Sequence, residues 1–262
     1  MKKVMGVGAA LMVAGVMGVQ AASEPEISAE ASLLSSYVFR GMVLNNDAVM
    51  QPQVTVEHYG VSFNIFGNYD IGSNFDGVSS DFSEIDCTLA YELPLAIEDL
   101  VVSVGLTHYT FPNVTVGGAA RESTTEIFAK GTLKTLENLE IPVIPSMTIF
   151  GDVDEVNGTY VLFDVYVPYQ ITPELSSQFG FSAGYGNTAY NDFYFGQGQG
   201  IDADWNDFNF NGALSYAVTD DLTASANLTY TVLNGGAIED GADAIYEDDE
   251  KLWCGLSVAY DF

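Results

Sequence analysis

The chain has 262 residues, of which 48% are hydrophobic and 13% aromatic, and it carries a formal net charge of −29 at pH 7. No apolar run is long enough for a transmembrane helix, which excludes a helical membrane protein, and the size suits one domain. A charge this negative excludes nucleic acid and a bare anionic surface as partners. Cations, or divalent ions that bridge to lipid phosphates, are compatible with it, and so is acidity that only keeps long loops soluble.

The first 22 residues predict a secretion signal. Lys2 and Lys3 provide a positive start, and residues 4–19 form an apolar run that is too short to cross a membrane. The run ends in Val-Gln-Ala, a small-residue cleavage site at residues 19–21. We therefore divide the chain into a signal peptide, residues 1–22, and one exported domain, residues 23–262.

The exported domain alternates between apolar and polar residues in segments about ten residues long, as β-strands with one apolar face do. We predict twelve such strands, near residues 27–41, 50–58, 61–70, 81–93, 100–110, 123–133, 143–152, 159–169, 175–186, 207–218, 222–230 and 252–262. Connections alternate in length. Tyr59-Gly60 and Asp220-Asp221 mark short ones, whereas residues 71–80, 111–122, 187–204 and 233–245 form long ones. This asymmetry and the even count predict a single antiparallel transmembrane β-barrel with both termini at the end that carries the short turns.

The last strand has an apolar face that ends in Tyr260 and Phe262. The alternative is an amphipathic edge strand of a soluble sandwich. A chain that ends in Tyr-x-Phe resembles the closing strand of bacterial outer-membrane barrels. The resemblance implies that Tyr260 and Phe262 are recognised by the barrel assembly machinery, and that the protein lies in the outer membrane of a diderm bacterium with lipid and lipopolysaccharide around it.

A second resemblance rests on the Tyr-Val-Phe-Arg-Gly segment at residues 37–41, the Gln-Pro-Gln at 51–53, the Tyr59-Gly60 hairpin and the Gly-Asn-Tyr-Asp at 67–70. This pattern is similar to the start of the TorF-like porin family, although Met42-Val43 stands where that family has Ser-Gln. The resemblance covers about a third of the chain and implies an outer-membrane, porin-like protein.

Two cysteines in an exported protein first suggest a disulfide. Cys87 and Cys254, however, share the apolar faces of strands that are far apart in sequence. The parity predicts two unpaired thiols on the lipid side, too distant for a bond.

Candidate sites for chemistry are few. The histidines, His58 and His108, both fall on apolar strand faces, which disfavours a hydrolase, although a site with His108 at the outer rim is a minor alternative. Asp152 and Asp154 precede Asn157-Gly158 as in a calcium loop, but Val156 replaces an oxygen ligand. The glycine-rich residues 196–200 lack the helix that a phosphate cradle requires. We predict no enzyme activity, no cofactor and no metal site.

The polar strand faces define the predicted pore lining. Strand parity sends inward the acidic residues Glu30, Glu57, Asp70, Glu84, Asp86, Glu126, Asp152, Asp164 and Asp207, and the basic residues Arg40 and Lys130. We predict a passive diffusion channel for small solutes or ions that prefers cations. The alternative is a non-conducting structural or adhesion barrel whose acidic loops bind ions.

Overall fold

The computed structural model describes residues 24–73, 79–97, 99–116, 119–134, 142–196, 198–246 and 248–262. The predicted signal peptide lies outside these residues. So do residues 135–141, between the sixth and seventh predicted strands, and Glu247, before the last predicted strand.

The described strands, in chain order, are β1 (Glu26–Leu34), β2 (Tyr37–Phe39), β3 (Met42–Asn45), β4 (Val49–His58), β5 (Val61–Ser73), β6 (Ser79–Glu92), β7 (Leu100–Thr110), β8 (Thr115–Val116), β9 (Ala119–Ala120), β10 (Thr124–Leu133), β11 (Ile144–Asp152), β12 (Thr159–Gln170), β13 (Leu175–Gly186), β14 (Asp204–Ala217), β15 (Leu222–Leu233) and β16 (Glu250–Asp261). The helices are α1 (Thr188–Asn191), which continues into a π-helical turn (Asp192–Gly196), and α2 (Ala237–Ile245). No helix in the described part of the chain is both long and apolar enough to cross a membrane.

Twelve of these strands form a closed antiparallel barrel, which confirms the predicted fold class. The order around the barrel is β1, β4, β5, β6, β7, β10, β11, β12, β13, β14, β15 and β16. The seam closes where β16 pairs with β1, with Ser28 opposite Asp261 and Leu34 opposite Gly255. Closure leaves no strand edge with unpaired backbone groups, which is the condition for a sheet to cross a lipid bilayer.

Backbone conformation explains the tightest turn of the barrel. Tyr59 and Gly60 both have positive φ, 50° and 79°, which is the signature of a two-residue turn whose twist matches that of the flanking strands. His58 stands opposite Val61 on either side of it. The predicted short turn at Tyr59-Gly60 is therefore confirmed.

The first predicted strand, residues 27–41, is wrong in its second half. β1 ends at Leu34, which lies opposite Val49 of β4, so that residues 35–48 leave the barrel wall. They form the hairpin of β2 and β3, in which Phe39 pairs with Met42. Residues 37–45 are called the inner hairpin below, because buried side chains dominate both of its strands.

The outer face of the barrel is apolar and the inner face polar. On β16, Leu252, Leu256 and Val258 are more than half exposed, whereas Trp253 on the opposite face is only 4% exposed. Cys87 and Cys254 lie on strands β6 and β16 and are both free, as predicted.

One of the predicted long connections, residues 233–245, contains a helix. α2 occupies residues 237–245, and its Ile238 and Ala242, four residues apart, are buried. This spacing places both side chains on one helical face, which packs inward. The acidic residues Glu239 and Asp240 lie in the first helical turn.

Candidate functional site

The barrel interior contains most of the charged side chains predicted to line it. The buried acids are Glu84, Asp86, Glu126, Asp152, Asp164, Asp70 and Asp207, and the last two have no exposed surface. Glu30, Glu57 and Lys130 are half-buried on strands β1, β4 and β10. Each lies on the strand that was assigned to it. Arg40 differs, because it belongs to the inner hairpin and to no barrel strand.

Arg40 reaches across the lumen from the β1–β4 corner to the wall at β10. Its Nη1 donates to Glu126 Oε1 at 2.8 Å and its Nη2 donates to Glu126 Oε2 at 2.7 Å. The two side chains are only 8% and 5% exposed. Such a two-point pair fixes orientation as well as distance, so that the tip of the inner hairpin is held against a wall five strands away.

Aromatic rings surround the same guanidinium. Its carbon lies 4.3 Å from the ring centre of Phe150, 4.5 Å from that of Tyr160 and 4.7 Å from that of Phe39. Burial alone would lower the pKa of Arg40, but Glu126 raises the pKa well above its ordinary value. The group is therefore a buried permanent cation, stabilised by a carboxylate and by ring faces.

Two further acids predicted to line a pore also bind the inner hairpin. Tyr37 Oη donates to Glu84 Oε2 at 2.8 Å, and Asn45 Nδ2 donates to Asp70 Oδ1. The carboxylates of the wall near the hairpin thus already accept hydrogen bonds from the protein itself.

A β-bulge adds two consecutive polar side chains to the interior. The register between β13 and β14 shifts between the Ala183–Phe208 and Tyr185–Trp205 pairs, so that Asn206 and Asp207 are both buried. Parity predicts Asp207 but not Asn206, because a bulge places neighbours on one side.

Asp207 accepts hydrogen bonds from Tyr160 Oη at 2.7 Å and from Asn209 Nδ2 at 2.8 Å. Glycine makes this approach possible at two positions. A Cβ at Gly184 would lie 2.0 Å from Tyr160 Oη, and one at Gly41 would lie 2.6 Å from Asp207 Cβ. Gly41 also has a φ of 84°, which L side chains rarely adopt.

The connections at one end of the barrel pack over the inner hairpin. Met42 of β3 belongs to a buried cluster with Tyr190 of α1, Phe195 of the π-helical turn, and Ile238 and Ala242 of α2. The inner hairpin is therefore covered by the long connections.

Asp152 organises the connection between β11 and β12 through hydrogen bonds. Its Oδ1 accepts from the backbone N–H groups of Asp154, Val156 and Asn157, and its Oδ2 accepts from Thr124 Oγ1. No group of three or more His, Cys, Asp or Glu residues that could hold a metal ion occurs in the described ranges. His108 Nδ1 lies 3.0 Å from Thr125 Oγ1, and the ring of His58 packs at a tilted angle against that of Tyr59 beside the β4–β5 turn.

A cavity of about 150 Å³ lies against the inner hairpin in the lumen. Its lining includes Arg40 and Lys130, aromatic residues of β7 and β10–β12, asparagines of β14 and β15, and Trp253. Trp253 Nε1 donates to Thr231 Oγ1 at 3.1 Å. Sequence reasoning did not identify this cavity, because it forms only once residues 37–45 have folded inward.

Solved structures share the fold at low sequence identity. The KdgM porin matches with a TM-score of 0.52 and 8% identity, over 90% of this chain and 99% of that one. An outer-membrane channel from Pseudomonas putida F1 matches with a TM-score of 0.54 and 10% identity, over 90% and 95%. LpxR from Salmonella typhimurium, which is not named as a porin or channel, matches with a TM-score of 0.54 and 11% identity, over 90% and 100%. These likenesses support the outer-membrane barrel fold and leave its activity open.

The sequence comparisons give a family but no activity. Residues 19–238 match the model of a family described as "Bacterial protein of unknown function (Gcw_chp)". No curated protein matches the chain. The resemblance of residues 37–70 to the TorF-like porin family stays a prediction.

Proposed function

Since the chain belongs to the Gcw_chp family of bacterial proteins of unknown function, we propose from its barrel that it is an outer-membrane porin-like channel for small solutes or ions, with a preference for cations. The observation that carries the proposal is the closed barrel of twelve strands, apolar outside and polar inside. Eight strands leave a barrel filled by side chains and sixteen leave an open channel, so that twelve leave a narrow lumen.

The inner hairpin is the constriction of this channel. It meets the wall at Glu84 on β6, at Glu126 on β10 and, through Gly41, at Asp207 on β14. Solutes cross either through the space that remains beside it or when it moves out of the lumen. In both cases the route passes polar and charged side chains whose field acts on ions.

The preference for cations follows from the excess of inward-facing carboxylates over the inward-facing cations Arg40 and Lys130. Some of this charge is already matched, because Glu126 pairs with Arg40. Glu30 on β1 and Glu57 on β4 remain towards the end of the barrel that carries the chain termini, and they add to the excess. In a lumen narrower than about two Debye lengths, near 16 Å at physiological salt, opposite walls both act on an ion.

The test is the reversal potential across a planar bilayer under a KCl gradient. We expect a potential of the sign given by K⁺ permeation, smaller at high salt and smaller in the double variant Glu84→Gln with Asp86→Asn. The matched control, Asp220→Asn with Asp221→Asn, removes the same charge from an exposed turn and should leave the potential unchanged. A wild-type potential of the sign given by Cl⁻ permeation would contradict the proposal.

A second candidate function is a non-conducting structural barrel whose acidic outer connections collect divalent ions and lipopolysaccharide phosphates. The observation that favours it is the inner hairpin itself, which joins opposite walls through a buried ion pair. Absence of any conductance from correctly folded protein, in the wild type and in variants that release the hairpin, would support this alternative.

A further inference from the structure

The cavity against the inner hairpin has two unlike sides. Strands β10 and β12 contribute the rings of Phe128 and Tyr166, whereas β14 and β15 contribute the amides of Asn211 and Asn227. A molecule that fits both sides has one flat apolar face and an edge of hydrogen-bonding groups.

The charged groups that line or adjoin this cavity are already matched by protein partners. Arg40 is held by Glu126, and Lys130 interacts electrostatically with Asp164 on β12. Asp207 accepts hydrogen bonds from a tyrosine and an asparagine. A charged ligand would bring a charge without a partner into a site whose lining is mainly apolar, which is unfavourable. The lining therefore favours an uncharged ligand.

Two amides are among the polar groups of the lining that remain available. Asn227 Nδ2 is buried and has no hydrogen-bond partner among the described residues, and Asn211 packs over Gly180 without a side-chain hydrogen bond in that same part of the chain. Each amide offers both donors and an acceptor, which is the complement of a hydroxyl group. A buried unpaired N–H group is unfavourable by about 1–3 kcal/mol. Nδ2 of Asn227 is closed to the cavity in the structure, so that a ligand hydroxyl satisfies it once the amide turns about its terminal torsion.

We propose that this cavity binds an uncharged pyranose sugar, with the face of its ring against Phe128 and Tyr166 and its hydroxyl edge on Asn211 and Asn227. A pyranose presents C–H groups on one face and hydroxyls around its rim, which matches the two sides of the cavity. A linear polyol has the hydroxyls but no flat face, and a sugar acid adds a charge. The inference goes beyond the proposed channel, because binding here does not require conduction.

The probe is methyl α-D-glucopyranoside, added to the full-length protein folded in detergent micelles. The chain has two tryptophans, of which Trp253 lines the cavity and Trp205 is exposed on the outer face. The Trp205→Phe variant leaves Trp253 as the single reporter. We expect a saturable change in its fluorescence, no such change with sorbitol, and weaker binding of glucuronate.

Two variants test the geometry. Asn227→Leu and Phe128→Leu should each weaken binding about tenfold, equivalent to about 1.4 kcal/mol. Asn227→Leu should do so without lowering the thermal stability of the barrel, since it removes an unpaired buried group. The control is Ser225→Ala, which changes the neighbouring inward position of β15 outside the cavity and should bind like the parent.

Three results would overturn the proposal: no saturable response to the glucoside, an equal response to sorbitol, or tighter binding of glucuronate. Binding unaffected by Asn227→Leu in a folded barrel would overturn the placement of the hydroxyl edge. Because the assay needs no current, a failure of the channel proposal leaves its result interpretable.

Discussion

Glu126 is the residue whose loss should release the inner hairpin. Its carboxylate holds both Nη atoms of Arg40 at 2.7–2.8 Å in a site where both side chains are almost fully buried. Removing one partner of a buried ion pair destabilises the paired state by about 3–5 kcal/mol, because the other charge stays buried without compensation. Each 1.4 kcal/mol is a factor of ten. Glu126→Gln should therefore shift the equilibrium towards the released hairpin by about two to three and a half powers of ten.

Single-channel recording measures this shift. We expect Glu126→Gln to open to a higher conductance more often, or for longer, than the wild type. Glu30→Gln is the control, since it removes an inward-facing acid whose side chain accepts a hydrogen bond from Ser32. The double variant Arg40→Met with Glu126→Met should restore the wild-type single-channel conductance. Apolar pairs of similar volume often replace buried ion pairs without loss of stability.

Wild-type conductance in Glu126→Gln would refute this reasoning, provided that the variant still migrates as a folded, heat-modifiable barrel. An equal increase in Glu30→Gln would also refute it, because the effect would then come from charge alone.

Three further predictions concern topology, assembly and the thiols. A cysteine introduced at Asp243 in α2 should react with an impermeant label on intact cells, whereas one at Asp220 should not; labelling at Asp220 would reverse the orientation. Deleting Phe262, which is 77% exposed at the end of the apolar face, should leave less folded barrel in the outer membrane, and undiminished heat-modifiable protein would contradict its role as an assembly signal. Mass spectrometry of non-reduced protein should find Cys87 and Cys254 unpaired, and a bond between them would contradict the register of the barrel.

The barrel was predictable from sequence because the alternation of inward and outward side chains along a strand is a local pattern. A side chain on a strand faces inward or outward by parity, and a terminal strand such as β16 shows that parity without interruption. The acids at Glu84 and Glu126 follow the same rule and are buried on the inner side. The number of barrel strands, and the side of the barrel to which each side chain points, thus follow from neighbouring residues.

The inner hairpin was missed because it continues the same alternation beyond the barrel wall. Arg40 and Gly41 have positive φ, 48° and 84°, and turn the chain as Tyr59 and Gly60 do. Positive φ is uncommon for a bulky residue such as arginine, so that the sequence pattern predicts a strand at this pair. The turn is stabilised by distant contacts with Glu126 and Asp207, which no local pattern contains.

The large sequence separation between Arg40 and Glu126 also affects the order in which parts of the chain fold. Residues 37–45 can pair with one another as soon as they are synthesised, but the partner of Arg40 lies 86 residues later and the wall at Asp207 later still. Until those strands curve into place, the guanidinium remains hydrated and the hairpin has no site in which to dock. Loop-closure entropy makes such distant contacts slow to form. We therefore expect the lumen to fill late in folding, together with the closing of the seam between the first and last strands.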